Sequence, residues 1–184
     1  PKIVRQELKL LRKLGFNSIR LLESFWLGMF ERPDFTKVLD EYMDNYDDLL
    51  SACRETCLTA LIIMVPAKGY QTPYQEKNSC IEQILRAFVT RFDEKYADVL
   101  VGWEIANEPD LNTWGLPYAQ EIEIFSTDKI WNSQVKPYLQ WCTELVRNLG
   151  AKKPLSIGAM NSPRCDRWDA ETFDVLNIHN YRTT

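Results

Sequence analysis

Two glutamates four residues apart, Glu104 and Glu108, lie in a stretch that reads both as a strand and as a source of acid chemistry: Val101, Gly102, Trp103, Glu104, Ile105, Ala106, Asn107, Glu108, Pro109, Asp110. Strand alternation sends Val101, Trp103 and Ile105 toward covering helices and puts Gly102, Glu104, Ala106 and Glu108 on the other face. Carboxylates on one face of a central strand are costly unless they are paired or used. Glu108 comes last, before Pro109 ends the strand. Barrel enzymes place reacting groups at the carboxyl ends of parallel strands, and a carboxyl half-buried there can protonate a leaving group. Glu104 lies four residues deeper, ~13 Å along a strand at ~3.3 Å per residue. That is too far for joint action with Glu108, so Glu104 is expected to be a buried, hydrogen-bonded structural carboxylate. Arg20 is a candidate partner for it.

The elements that must position this strand follow from periodicity. Residues 2–14 place Val4, Leu8, Leu11 and Leu14 on one helical face, and 16–22 read as a strand. Residues 36–57 carry a long stripe of Leu39, Tyr42, Met43, Tyr46, Leu49, Leu50, Cys53 and Cys57. Residues 58–65 form an apolar run of the kind buried on both faces of a parallel sheet. Asn78 or Ser79 caps a helix that turns Ile81, Ile84, Leu85, Phe88 and Phe92 inward. A strand over 99–107 follows, then a loop over 110–127. A helix over 133–149 holds Pro137 in its first turn, where proline is tolerated. Strands at 155–159 and 173–181 complete the series. Leu14-Gly15 and Leu149-Gly150 each end a helix and lead into an apolar strand, as glycine stops do.

Five strands alternating with helices predict a parallel sheet of the α/β class. No GxGxxG or GxxxxGK[ST] pattern follows the first strand, which disfavours a nucleotide-binding doubly wound fold. A (β/α)8 barrel needs ~250 residues. The chain has 184, so it reads as a smaller open sheet or as part of a barrel. Composition narrows the function. A net charge of −4 with no basic run argues against nucleic acid. No apolar run approaches the ~20 residues that span a bilayer. One histidine, His179, excludes a zinc site built from histidines. The five cysteines show no CxxC and read as buried free thiols.

The motif Trp103-Glu104-Ile105-Ala106-Asn107-Glu108-Pro109 resembles the fourth-strand signature of clan A glycoside hydrolases, most closely glycoside hydrolase family 5, of cellulase and β-mannanase type. Phe16 through Leu21 resembles the second strand, and Asn177-Ile178-His179-Asn180-Tyr181 the sixth. The resemblance covers essentially the whole chain. It implies that residues 1–184 are a partial TIM-barrel catalytic domain with about five β/α units, the second to sixth strands. It also implies retaining hydrolysis of a β-linked polysaccharide or oligosaccharide, of β-mannan or β-glucan type, with no cofactor. Glu108 would be the acid/base, Asn107 would bind the 2-hydroxyl of the sugar, Arg20 would support the nucleophile, and His179 and Tyr181 would line the site. The family nucleophile, a Glu ending the seventh strand, has no counterpart before Thr184. Remaining barrel strands or another chain would complete the fold, and these residues alone are not expected to form a working enzyme. Family cellulases usually carry a His after the third strand. Met64 through Gly69 holds none, which leaves a mannanase-like enzyme open.

Beside the motif, Trp114 and Trp26 are candidate sugar platforms, because apolar sugar faces stack on aromatic rings. Trp26, like Tyr70, Tyr74 and Trp168, lies in another loop that follows a strand, where packing is an equal reading. The alternative function is a barrel that kept carbohydrate binding or scaffolding and lost catalysis.

Overall fold

The computed structural model describes residues 2–22, 32–65, 79–109, 131–160 and 171–179. In chain order the elements are α1 (Lys2–Lys13), β1 (Ser18–Leu21), α2 (Phe35–Glu55), β2 (Thr59–Val65), α3 (Ser79–Phe92), β3 (Leu100–Asn107), a π-helical turn (Trp131–Val135) running into α4 (Lys136–Asn148), β4 (Leu155–Met160) and β5 (Val175–His179). The strands pair in sequence order, every neighbour parallel, and the sheet curls into a half-barrel. None of the described helices is long and apolar enough to cross a membrane.

The core lies between the outer face of the sheet and the helices. Ala60, Ile62 and Met64 of β2, Trp103 and Ile105 of β3 and Ile157 of β4 are buried against Leu39, Met43, Tyr46, Ile84, Phe88 and Cys142 of α2, α3 and α4. Tyr46, Phe88, Phe92 and Trp103 stack at centroid separations of 5.1 to 6.5 Å. The inward residues expected of α3 are all buried. Cys53 and Cys142 are buried free thiols, and burial pushes the Cys53 thiol up to about 11. They act there as apolar filler. Cys80 is half-buried, and Cys165 lies outside the described residues.

Three helix–strand junctions close in one way. The N–H of Gly15 meets Arg12 O and that of Phe16 meets Leu11 O, with Gly15 at φ 94°. Gly150 (φ 84°) and Ala151 repeat the pattern on Arg147 and Val146. Each is a Schellman stop, in which a left-handed residue lets two N–H groups satisfy the helix's last carbonyls. At the end of α2 the left-handed residue is Cys57 (φ 54°), followed by Leu58, bonded to Arg54 O and Cys53 O. Cys57 therefore leaves the helical stripe on which periodicity placed it and is exposed. Leu14, read as inward, is 66% exposed, because it follows the last residue of α1. Val101 also departs from the expected burial, at 47% exposed beside the fully buried Trp103. The loop read over 110–127 and the connection between β4 and β5 lie largely outside the described residues.

Candidate active site

The inner face of the half-barrel gathers charge. Arg20, in the middle of β1, reaches past β2 to β3. Its Nε donates to Glu104 Oε2 at 3.1 Å, and its Nη2 donates both to Glu104 Oε1 and to Asn107 Oδ1, the latter at 2.6 Å. From the other side, Asn177 of β5 reaches past β4, and its Nδ2 donates to Glu104 Oε2 at 3.1 Å. Glu104 is fully buried, with both oxygens engaged, which matches the paired structural carboxylate expected of it. The Arg20 side chain keeps 31% of its surface in solvent. A bidentate guanidinium is the geometry that best offsets the desolvation of such a carboxylate.

Glu108 sits at the carboxyl end of β3, buried to 6% exposure. Its Oε1 lies 2.8 Å from His179 Nδ1, in a hydrogen bond whose proton sits on either partner according to ionisation and tautomer. His179 is the last residue of β5, two positions after Asn177, so one strand face serves both carboxylates.

Simple alternation does not produce this arrangement. Opposite Ser156 and Gly158, two steps apart on β4, stand Glu104 and Asn107, three steps apart on β3. The extra residue reverses the facing, as bulges do, and turns Asn107 to the same side as Glu104. Alternation had grouped Glu108, not Asn107, with Glu104. Glu108 then adopts φ 50°, in the left-handed region that disfavours residues other than glycine, and its N–H donates to Gly158 O at 2.5 Å. Both Asn107 and Glu108 thus reach the mouth of the half-barrel.

Anchors on the far side hold these strands. Trp103 Nε1 donates to the buried Asp93 Oδ1 at 2.8 Å, and Asp93 Oδ2 accepts the Lys152 N–H at 2.9 Å, which ties β3 to the junction that leads into β4. Asp174 Oδ2 accepts the Leu155 N–H at 2.8 Å, and its Oδ1 accepts from Arg147 at 3.2 Å. The Leu155 N–H, aided by Arg147 and opposed by partial burial, holds the Asp174 carboxyl below its usual range. Asp174 precedes β5 and so sets the strand that carries Asn177 and His179.

Of the residues singled out from sequence, Arg20, Asn107, Glu108 and His179 meet in one cluster. Trp26, Trp114 and Tyr181 lie outside the described residues, as do Tyr70, Tyr74 and Trp168. Asn177 and Gly158 were not singled out. The signal for Asn177 was its place two residues before His179.

A parallel half-barrel with a buried acid at a strand's carboxyl end is the architecture of the barrel glycoside hydrolases. Residues 2–183 match the family described as Cellulase (glycosyl hydrolase family 5). The chain belongs to that family of glycoside hydrolases, whose substrates are glycans. Among curated proteins nothing matches. Solved structures of similar fold include a beta-glucuronidase 2 from Bacteroides uniformis, 13% identical, TM-score 0.64, covering 98% of this chain and 18% of that one. An exo-beta-1,4-mannosidase from Opitutaceae bacterium strain TAV5 is 18% identical, with a TM-score of 0.56 over 86% of this chain and 28% of its own. An endo-1,4-beta-mannanase from Rhizomucor miehei is 13% identical, with a TM-score of 0.56 over 92% of this chain and 57% of its own. The chain therefore spans between about a fifth and somewhat over half the length of these structures.

Proposed function

We propose that this chain carries the acid/base half of a retaining glycosidase acting on a β-linked glycan of mannan or glucan type. The observation that carries the reading is the placement of Glu108: a buried carboxyl at a strand's carboxyl end, turned to the mouth by a left-handed backbone and held against His179. In the first step Glu108 gives its proton to the glycosidic oxygen as the C–O bond breaks. In the second it takes a proton from the attacking water. His179, in hydrogen-bonding contact, orients the carboxyl and shares its proton. Asn107, held by Arg20, presents its amide to the 2-hydroxyl of the sugar. Tyr181, Trp114 and Trp26 complete the sugar contacts in this reading, and no metal or organic cofactor enters the reaction.

Glu104 is not the attacking carboxylate. A retaining pair stands ~5–5.5 Å apart. Glu104 has both oxygens occupied by Arg20 and Asn177 and no access to solvent, so it cannot attack. The nucleophile is assigned to a strand beyond these five, supplied by further barrel units or by another chain. Among the described residues β1 and β5 each pair on one side only, and Leu176 and Ile178 on the outer face of β5 are exposed, which supports such completion.

The test is Glu108→Gln in the full-length protein. Hydrolysis of substrates with poor leaving groups is expected to fall ~10²–10⁴-fold, and that of activated aryl glycosides to fall less at the glycosylation step. Azide, which needs no deprotonation, should restore part of the second step. Equal losses on both substrates with no azide effect would overturn the reading. Glycan binding by the parent protein without any turnover would point instead to a barrel that binds and does not cleave.

A further inference from the structure

We infer that Gly158 is a positioning residue for the acid/base carboxyl, because it leaves a gap in β4 through which β1, β3 and β5 converge. The inference rests on the reading of Glu108 given above, but its geometry stands apart from it.

β4 lies between β3 and β5, so every contact between those two strands passes over it. Two such contacts build the cluster, Asn177 to Glu104 and His179 to Glu108. The β4 residue beneath them is Gly158, in register with Asn107 on one side and with Asn177 on the other. A Cβ at this position would stand 2.9 Å from Arg20 Nη2 and 3.0 Å from His179 Cε1, and nearer still to Glu104 Oε1. These three atoms belong to three strands. Glu104 has no room to yield, since it is fully buried with both oxygens bonded. The smallest side chain would therefore push apart the groups on either side of Glu108.

The backbone of Gly158 acts on the same residue. Its carbonyl accepts the Glu108 N–H, and it is the first β4 position matched after β3 takes its extra residue. A left-handed conformation at a residue other than glycine is strained and persists only where the surroundings hold it. That carbonyl is one of the holds. Gly158 itself does not have the positive φ of Gly15 and Gly150. Alanine is thus compatible with the backbone, and Gly158→Ala reports the effect of a Cβ alone.

His179 meets Glu108 through its Nδ1, and its imidazole signal in the full-length protein is identified by its loss in His179→Gln. The experiment compares parent, Gly158→Ala and Glu108→Gln by nitrogen NMR of the imidazole across pH, together with pH–rate profiles of the same variants in the full-length protein. Gly158→Ala is expected to move the ring resonances away from their positions in the parent, as Glu108→Gln does. It should also lower kcat for poor leaving groups by ~10²-fold, with KM less affected, since a displacement of ~1 Å costs about that much. The limb of the pH–rate profile that reports the acid/base should move as well. Ring resonances in Gly158→Ala that match the parent, while Glu108→Gln moves them, overturn the inference and leave the role of Glu108 intact. Unchanged rates in Glu108→Gln would count against that role alone.

Loss of folding is also informative. If Gly158→Ala does not fold, it is placed in an Arg20→Ala/Glu104→Ala background, where two of the three colliding groups are gone. Recovery of the folded state there supports the collision. Failure there, in a background that folds with Gly158 in place, overturns it.

Discussion

The two ends of the same five strands are built on opposite principles. At the carboxyl ends, charge is packed into little space: Arg20, Glu104, Asn107, Glu108, Asn177 and His179 join across three strands. At the amino ends, helices hand over to strands through ordinary stops, and the ion pairs lie in water, as with Arg54 and Asp98. Both ends contain a residue other than glycine in the left-handed region. Glu108 holds φ 50° and Cys57 holds φ 54°. At Glu108 the conformation aims a buried carboxyl at His179. At Cys57 it closes a helix, with the side chain left exposed. The same backbone cost serves placement of a buried carboxyl at one end and chain reversal at the other. Barrel folds commonly divide their labour in this way, with chemistry at the carboxyl ends and stability at the amino ends.

The largest expected effect lies at the carboxyl ends and is asymmetric. Arg20→Ala strands a fully buried carboxylate with only Asn177, whereas Glu104→Ala leaves an arginine that already reaches solvent. Arg20→Ala should cost about 3–5 kcal/mol, the range for breaking a buried pair, and Glu104→Ala clearly less. Urea unfolding of the two variants measures this, and equal costs would show that burial of Glu104 does not govern the pair.

The next effect has the opposite sign. Cys57→Gly relieves the left-handed strain without removing a buried contact. It should stabilise the protein by roughly 1 kcal/mol, the lower end of the cost of that conformation for an L-residue. Any loss of stability would show that the thiol does more than its exposure indicates. Rates should not change, which separates this left-handed residue from Glu108.

The smallest effect is a pH dependence at the amino ends. Because the folded carboxyl of Asp174 is held below its unfolded value, its contribution is complete above the unfolded value, ~3.9, and fades as pH falls through the folded one. Asp174→Asn should therefore cost about 1 kcal/mol at neutral pH, the scale of a lost hydrogen bond, and the deficit should shrink on acidification below about pH 4. Unfolding curves at pH 7 and near pH 3 check the sign. A deficit that grows on acidification would contradict the assigned bonds.

Much of the fold was legible because its rules are local. Apolar spacing in 36–57 and in 79–92 reads as helix with no knowledge of the rest of the chain. Gly15 and Gly150 mark helix ends because few other residues tolerate that backbone. Cys57 was missed for the same reason: a left-handed cysteine carries no signal in its type, so its spacing from Cys53 made it look like one more helical turn. Val101 and Leu14 were apolar residues on the expected faces, but exposure depends on what packs there, which periodicity does not report.

For the site, the sequence by itself determined the inventory. Glu108 ends a strand before Pro109, Arg20 and His179 lie on strands of the same sheet, and the motif around Glu108 places the chain in its family. Only the tertiary structure decided how these residues meet. Asn107 turns inward because β3 takes three steps where β4 takes two. Glu108 turns to His179 because its backbone is left-handed and tied to Gly158. Asn177 bonds Glu104, 73 residues away, because Gly158 leaves room between them. Helix and strand periodicity follow from one chain's own geometry. Register, bulges and the space above a glycine depend on neighbouring strands, and those contacts exist only once the sheet has formed.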